Sequence, residues 1–169
     1  MTSEIQTRTT RLVYNRTIGV AAMQGRGFYY PWSAAVADDG KIFVLGRGSD
    51  SDPRGVRVTV MNLEEEYFGT FGSFGTKAGQ AIWNASIALD SQQRLFTSDE
   101  HLNRIMVRTT DGELLDTWGE SGAEDGQLNG PNGITVFRHR IGQARPLLRY
   151  LSERLLLPRV DRLRPLTTR

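Results

Sequence analysis

A loosely repeated stretch of 47 residues constrains this chain more than any other feature. Its clearest copy, residues 111–136, reads DGELLDTWGESGAEDGQLNGPNGITV. That text holds a strand ending in Trp118-Gly119, a Gly-rich connector through Gly126-Gln127, and the opening of a new strand at Gly133-Ile134-Thr135-Val136. A looser copy runs from Tyr67-Phe68-Gly69-Thr70-Phe71-Gly72 through Gly79-Gln80 to Ser86-Ile87-Ala88-Leu89, and a third from Thr17-Ile18-Gly19 through Gly27-Phe28 to Ala34-Ala35-Val36-Ala37. Phe71 to Trp118 and Ile87 to Ile134 are each 47 residues, and Ala35 to Ile87 is 52, the excess falling in the polar loop 46–55.

Between these landmarks the pattern alternates with a period of two and is punctuated by turn residues, which reads as short strands joined by hairpins. The first full unit takes strands at 33–37, 41–45, 56–61 and 66–71, with a tight turn at Asp38-Asp39-Gly40. The second takes 85–89, 94–97, 104–108 and 113–118, with turns at 90–93 and Thr110-Asp111-Gly112. Residues 11–14 and 17–19 read as the last strand of a preceding unit. A third unit gets as far as Gly133–Val136. Four short strands per ~45 residues is the signature of a propeller blade, a twisted sheet that buries its faces only by stacking on its neighbours. The fold class expected is therefore all-β: a partial β-propeller of four-stranded antiparallel blades, carried by residues 11–137. Residues 1–10 are polar and read as a frayed N-terminus, and 138–169 as an Arg/Leu-rich tail. The two units at 32–118 are expected to pack face to face through Phe43, Ile87, Leu89 and Phe96, with Trp118 largely buried near Leu128.

Charge separates tail from body. The chain carries net +2, but residues 1–137 hold 12 Lys/Arg against 17 Asp/Glu, whereas 138–169 hold nine Arg against Glu153 and Asp161. The basic character belongs to the tail, so it is no nucleic-acid signal for the whole chain. Leu147, Leu151 and Leu155 fall four apart, the spacing of an amphipathic helix over 147–157 bounded by Pro146 and Pro158. Membrane-surface or RNA binding is one reading of that stretch. Another is reading from a shifted frame, because 19 Arg against two Lys suggests a GC-rich coding sequence. Cysteine is absent, which removes disulfide and thiolate chemistry. The N-terminus lacks the apolar core of a signal peptide and no run of ~18 apolar residues exists, so a cytoplasmic protein is expected.

The motifs resemble those of NHL-repeat propellers, the six-bladed class. The residues carrying the resemblance are Gly126-Gln127 in the connector, Pro131-Asn132-Gly133-Ile134 at strand entry, Asn103-Arg104-Ile105, the hairpin Asp111-Gly112, and the aromatic-Gly end Trp118-Gly119. The first unit departs from the pattern, having no Asn-Arg pair before Val58. The resemblance covers about residues 11–137 and implies a ring that needs on the order of 280 residues, so about two and a half blades are present. It implies a ligand- or protein-binding scaffold, with further blades or self-association as partners. The alternative it implies is an enzyme of the peptidyl-hydroxyglycine amidating lyase or gluconolactonase-like kind that needs the missing blades.

Candidate chemistry is sparse. His101 and His139 are the only histidines, too few for the three or four ligands of a zinc site. Asp50 and Asp52 open a calcium-loop spacing with Gly55 at the sixth position, but Met61 stands where the loop needs Glu. Asn84, Asp99 and Glu100 are the hard-oxygen residues that a lactonase-like ring would turn toward a divalent ion, against a plainer reading as caps and turns. No cofactor is expected, and a divalent metal only in a complete ring. Gly69, Gly72 and Gly75 lack the G-x-G core of a dinucleotide loop and read as connector. Asn103 is expected to bond within its turn, and Arg104 to lay its stem across the blade with its head on a carboxylate. Asn15 and Asn84 fit the N-glycosylation acceptor pattern.

Overall fold

The structure is a computed structural model that describes residues 13–22, 24–49, 51–138 and 146–152, the last seven as backbone. The first unit is the antiparallel meander β1 (Pro31–Val36), β2 (Ile42–Gly46), β3 (Val58–Met61) and β4 (Tyr67–Phe71), paired in chain order. A connector holds the two-residue strands β5 (Ser73–Phe74) and β6 (Gln80–Ala81), which pair in parallel. The second meander is β7 (Asn84–Leu89), β8 (Leu95–Asp99), β9 (Arg104–Arg108) and β10 (Leu114–Trp118). A third unit opens with β11 (Pro131–Arg138) paired antiparallel to β12 (Pro146–Ser152). One 3₁₀ turn, Pro53–Gly55, interrupts the loop after β2, and no α-helix occurs among the described residues.

Turn chemistry explains where the strands stop. Gly40 (φ 85°) closes the first hairpin, and Gln93 (φ 58°) holds the same place in the second. Asp90 makes the non-glycine turn workable: its carboxylate accepts from the N–H of Gln92 and Arg94, both at 2.9 Å, and pairs with the Arg94 guanidinium. In the Asp111-Gly112 turn, Gly112 has φ 92°, and an added Cβ would stand 2.4 Å from the Phe71 ring carbon Cγ. Glycine is required there by the backbone and by the previous unit's aromatic side chain together.

The units repeat in space as they do in sequence. Hairpin ends Val36↔Ile42 and Leu89↔Leu95 relate the first two units by 53 residues. Ile87 therefore corresponds to Ala34, and the 52-residue match of Ala35 to Ile87 read from the sequence is one residue out of register. A one-residue slip exchanges the faces of a strand. In register, the same bond recurs: the Ile87 N–H donates to Ser33 Oγ (3.3 Å), and the Ile134 N–H to Ser86 Oγ (3.2 Å).

The core follows the same step. Ala37, Phe43, Leu45, Val58 and Val60 of the first unit meet Ile87 and Leu95 of the second, with Phe71 and Leu89 at the margin. One unit on, Phe96, Ile105, Val107 and Leu128 form the next layer with Trp118, Ile134 and Val136. Phe43, Ile87 and Leu89 lie where the sequence placed them. Phe96 does not: it is the counterpart of Phe43, alternates with Leu95 along β8, and faces the third unit. Trp118 packs in the layer that holds Leu128, half-buried rather than largely buried.

Two expectations at the ends need correction. Residues 13–19 form no strand, and Val13 and Tyr14 are exposed. Among the described residues no strand lies alongside them, so no ladder satisfies their backbone groups. Residues 147–152, read as part of a helix, run with Pro146 as β12, paired with β11 from Pro131↔Ser152 to Arg138↔Pro146. A helix of about eleven residues between prolines is marginal alone, whereas the free edge of β11 offers backbone partners whatever the side chains are. The boundary drawn at 138 thus cuts a hairpin. Residues 1–12, His139 and 153–169 lie outside the described residues.

Leu45 is fully buried between the first two sheets. Leu45→Ala is expected to cost about 2–5 kcal/mol, read as a lowered midpoint in urea denaturation followed by circular dichroism, whereas Leu63→Ala at the exposed 62–66 hairpin should leave the midpoint unchanged.

Candidate binding surface at one end of the units

The starts of β1, β7 and β11, the loops after β2 and β8, and the connectors all lie at one end of the units. The hairpins at 37–41, 62–66, 90–94 and 109–113 lie at the other. Each entry strand carries a register shift at its first residues, between Pro31 and Ser33, between Asn84 and Ser86, and between Pro131 and Gly133. A bulge of this kind bends a strand and re-aims a side chain.

The connectors are built alike, with parallel bridges at Ala21↔Phe28, Phe74↔Ala81 and Ser121↔Leu128. The Gly-Gln motif closes two of them. Gln80 Oε1 accepts from the Lys77 N–H (3.1 Å), and Gln127 Oε1 from the Glu124 N–H (2.9 Å). Gly126 turns at φ 88° ahead of Gln127. The amide of each Gln rests against a second glycine: a Cβ on Gly75 or Gly122 would stand 2.2 or 1.9 Å from it. This explains Gly75 better than any phosphate-binding role.

Asn103 and Arg104 tie the second unit to its connectors. Asn103 (φ 52°) donates to the His101 carbonyl within its turn, as expected, and its Oδ1 also accepts from the Gly130 N–H at 2.7 Å. The Arg104 head binds no carboxylate. It donates to the carbonyls of Thr76, Lys77 and Gln80. Three carbonyl dipoles serve the two terminal nitrogens of the guanidinium without a second buried charge, and Nε is left without a partner among the described residues. Gly119 (φ 95°) lies under Leu128, whose Cδ1 would stand 2.4 Å from an added Cβ. Pro131 is buried at the start of β11, Gly133 pairs with Leu151 beyond the bulge, and Asp111 is an exposed turn residue.

The residues named for a divalent ion are each engaged with other groups of the protein. Asp99 is fully buried, and its carboxylate accepts from the N–H groups of Ile82 (2.8 Å), Trp83 (3.3 Å), His101 and Leu102 (both 3.0 Å). Asn84 donates to the Gly46 carbonyl of the first unit at 3.0 Å. Glu100 pairs with Arg47. Among the described residues no three His, Cys, Asp or Glu converge as a metal group. In the 46–55 loop, Asp52 takes both Arg54 and the Tyr29 hydroxyl. Those donors hold its carboxyl well below the usual carboxylate range, and the bond to Asp52 pushes the Tyr29 phenol up. Asp50 lies outside the described residues.

The sequence reading missed the row that crosses all three units at this end. Arg47 and Glu100 hold equivalent places, one residue beyond β2 and β8, shown by the matching bonds Arg47 N–H to Tyr30 O and Glu100 N–H to Trp83 O. They form an ion pair between units, with side chains about one-fifth exposed. The Arg47 guanidinium carbon lies 4.7 Å from the Trp32 ring centroid and 5.7 Å from that of Trp83. Glu100 accepts from Asn132 Nδ2 at 3.3 Å, and the His101 ring stands edge-on to Trp83 at 4.9 Å. The spacing of Arg47 from Glu100, one unit step, was the available signal. By contrast, the cavity between the sheets, lined by Leu45, Val58, Phe71, Thr97 and Arg108, is about 10 Å³, room for one water on Thr97 Oγ1 but for no substrate.

Comparison with known proteins agrees with the repeat. No family model matches the chain. It is similar to Protein brain tumor of Drosophila melanogaster, an NHL-repeat protein, with 32% identity over 73 residues, 43% of this chain. The chain spans 7% of the length of that relative. The match supports an NHL-type repeat in this chain. Among the described residues no helix is long and apolar enough to cross a membrane.

Two substitutions check the geometry of this end. Asp99→Ala leaves four N–H groups, that of Ile82 buried, without their acceptor and is expected to cost about 3 kcal/mol, measured by chemical denaturation. Gly122→Ala is expected to destabilise by about 1–3 kcal/mol. In the Gln127→Ala background its effect should shrink, since the clash with the Gln127 amide is then gone; a double-mutant cycle gives the difference.

Proposed function

We propose that the chain forms part of an NHL-type repeat domain that acts as a ligand- or protein-binding scaffold, with its binding surface at the end that carries Trp32, Arg47, Trp83, Glu100 and Asn132. The observation that carries this reading is the row itself. It gathers aromatic and charged side chains from three units at bulged strand entries, where Trp32 is 54% exposed although its neighbours in β2 are buried. Exposed polar and aromatic residues on rigid elements serve recognition rather than packing. The enzymatic alternative, a lyase or lactonase, has no observation in its favour here; stoichiometric metal retained after dialysis together with lactone hydrolysis would revive it. Peptides selected against the full chain are expected to lose at least about tenfold in affinity on Trp32→Ala, and none on Leu63→Ala at the opposite end. Equal loss from both, or from neither, counts against the surface.

The scaffold reading includes a partner for the first unit. Ala34 and Val36 hold the places of Ile87 and Leu89, which are packed against a preceding unit, yet Val36 is 65% exposed. A sheet face open in this way favours self-association or docking of further blades. Light scattering after size exclusion should give species above 18.9 kDa, shifting toward monomer on Val36→Lys.

A further inference from the structure

We infer that the cleft between the starts of β1 and β7 is a receptor for a cationic side chain, an arginine or alkylated lysine presented by a partner peptide, and that Arg47 fills it intramolecularly in the free chain. This rests on the reading of that end as a binding surface and names the chemistry it selects. Two indole rings and a carboxylate are the elements that recognise an organic cation: the ring faces attract it through their quadrupoles and the carboxylate fixes its orientation. Here all three surround one guanidinium, with Trp32 at 4.7 Å, Trp83 at 5.7 Å and Glu100 in an ion pair.

Two walls of the cleft, Glu100 and Trp83, are held by groups other than its occupant. Asn132 Nδ2 donates to the second oxygen of Glu100, Oε2, leaving Oε1 for the cation. His101 supports the Trp83 ring edge-on, and the Trp83 backbone is fixed by its N–H to Asp99 and its carbonyl to the Glu100 N–H. Arg47 reaches the cleft on a flexible stem from the residue after β2, and its side chain makes no other hydrogen bond among the described residues. The Arg47 side chain can thus leave the cleft without loss of a core contact. A peptide arginine offered from solution makes the same contacts and competes with Arg47 for them.

The test uses the full chain and two probes, N-acetyl-arginine methylamide and its neutral citrulline counterpart, followed by tryptophan fluorescence. Arg47→Ala is expected to bind the arginine probe at least about tenfold more tightly than the parent chain, because the internal competitor is gone. The citrulline probe should not bind, and adding Glu100→Gln should abolish the response. Arg47→Gln, which keeps most of the stem, serves the same purpose if Arg47→Ala melts early. Arginine binding that is equal in parent and variant, or that survives Glu100→Gln, overturns the inference. If neutral or acidic peptides bind in a Trp32-dependent way and cations do not, the inference fails while the binding surface stands. If no peptide of any charge binds, both fail.

Discussion

The contact between successive sheets is what the rest of this structure depends on. A four-stranded meander has two faces and can cover neither, so each unit is stable only against its neighbour. Phe43, Leu45, Val58 and Val60 on one side meet Ile87 and Leu95 on the other, each fully buried large side chain contributing about 1.5–3 kcal/mol by removal from water. The backbone bond from each entry strand to the serine of the preceding one fixes the register of that contact. Once the first interface is set, the second is the same interface displaced by one unit, and Phe96, Ile105 and Val107 inherit their direction from it.

The polar residues serve that stacking. Asp99 gathers four N–H groups at the start of a loop, Arg104 gathers three carbonyls from a connector, and Asn103 joins the turn to the next connector. Such hydrogen bonds to charged groups are worth more than neutral ones and are costly to leave unmade. They hold the loops at one end firmly enough for side chains from three units to meet there. The Arg47–Glu100 pair is a consequence: equivalent residues of successive units stand side by side because the units stack in register. Opposite charges at one repeated position mark this junction as different from a plain repeat.

A binding surface made this way differs from a pocket. The space between the sheets offers only about 10 Å³, whereas at the ends of the units strand bulges turn side chains outward. The open face of β1 is a separate matter. It is the same surface that is covered one unit later, and among the described residues no sheet lies in front of it.

The local devices were legible in the sequence. Hairpin turns at Asp39-Gly40 and Asp111-Gly112, the Gly-Gln connectors and the strand positions all depend on residues within a few positions of one another, so the all-β class and the meander order could be read directly. What depended on direction could not. Whether Phe96 faces backward or forward, whether Ala34 or Ala35 answers to Ile87, and what the Arg104 head binds are decided by a one-residue register that only stacking fixes. The helical spacing of Leu147, Leu151 and Leu155 was misleading for the same reason: a free strand edge recruited residues 146–152 through backbone groups that no side-chain pattern reveals. The sequence by itself determined the repeat and its turns, because those are local chemistry. The tertiary structure alone decided which side chains meet across units, Arg47 with Trp32, Trp83 and Glu100 among them, because that contact exists only when sheets 53 residues apart in the chain are stacked face to face.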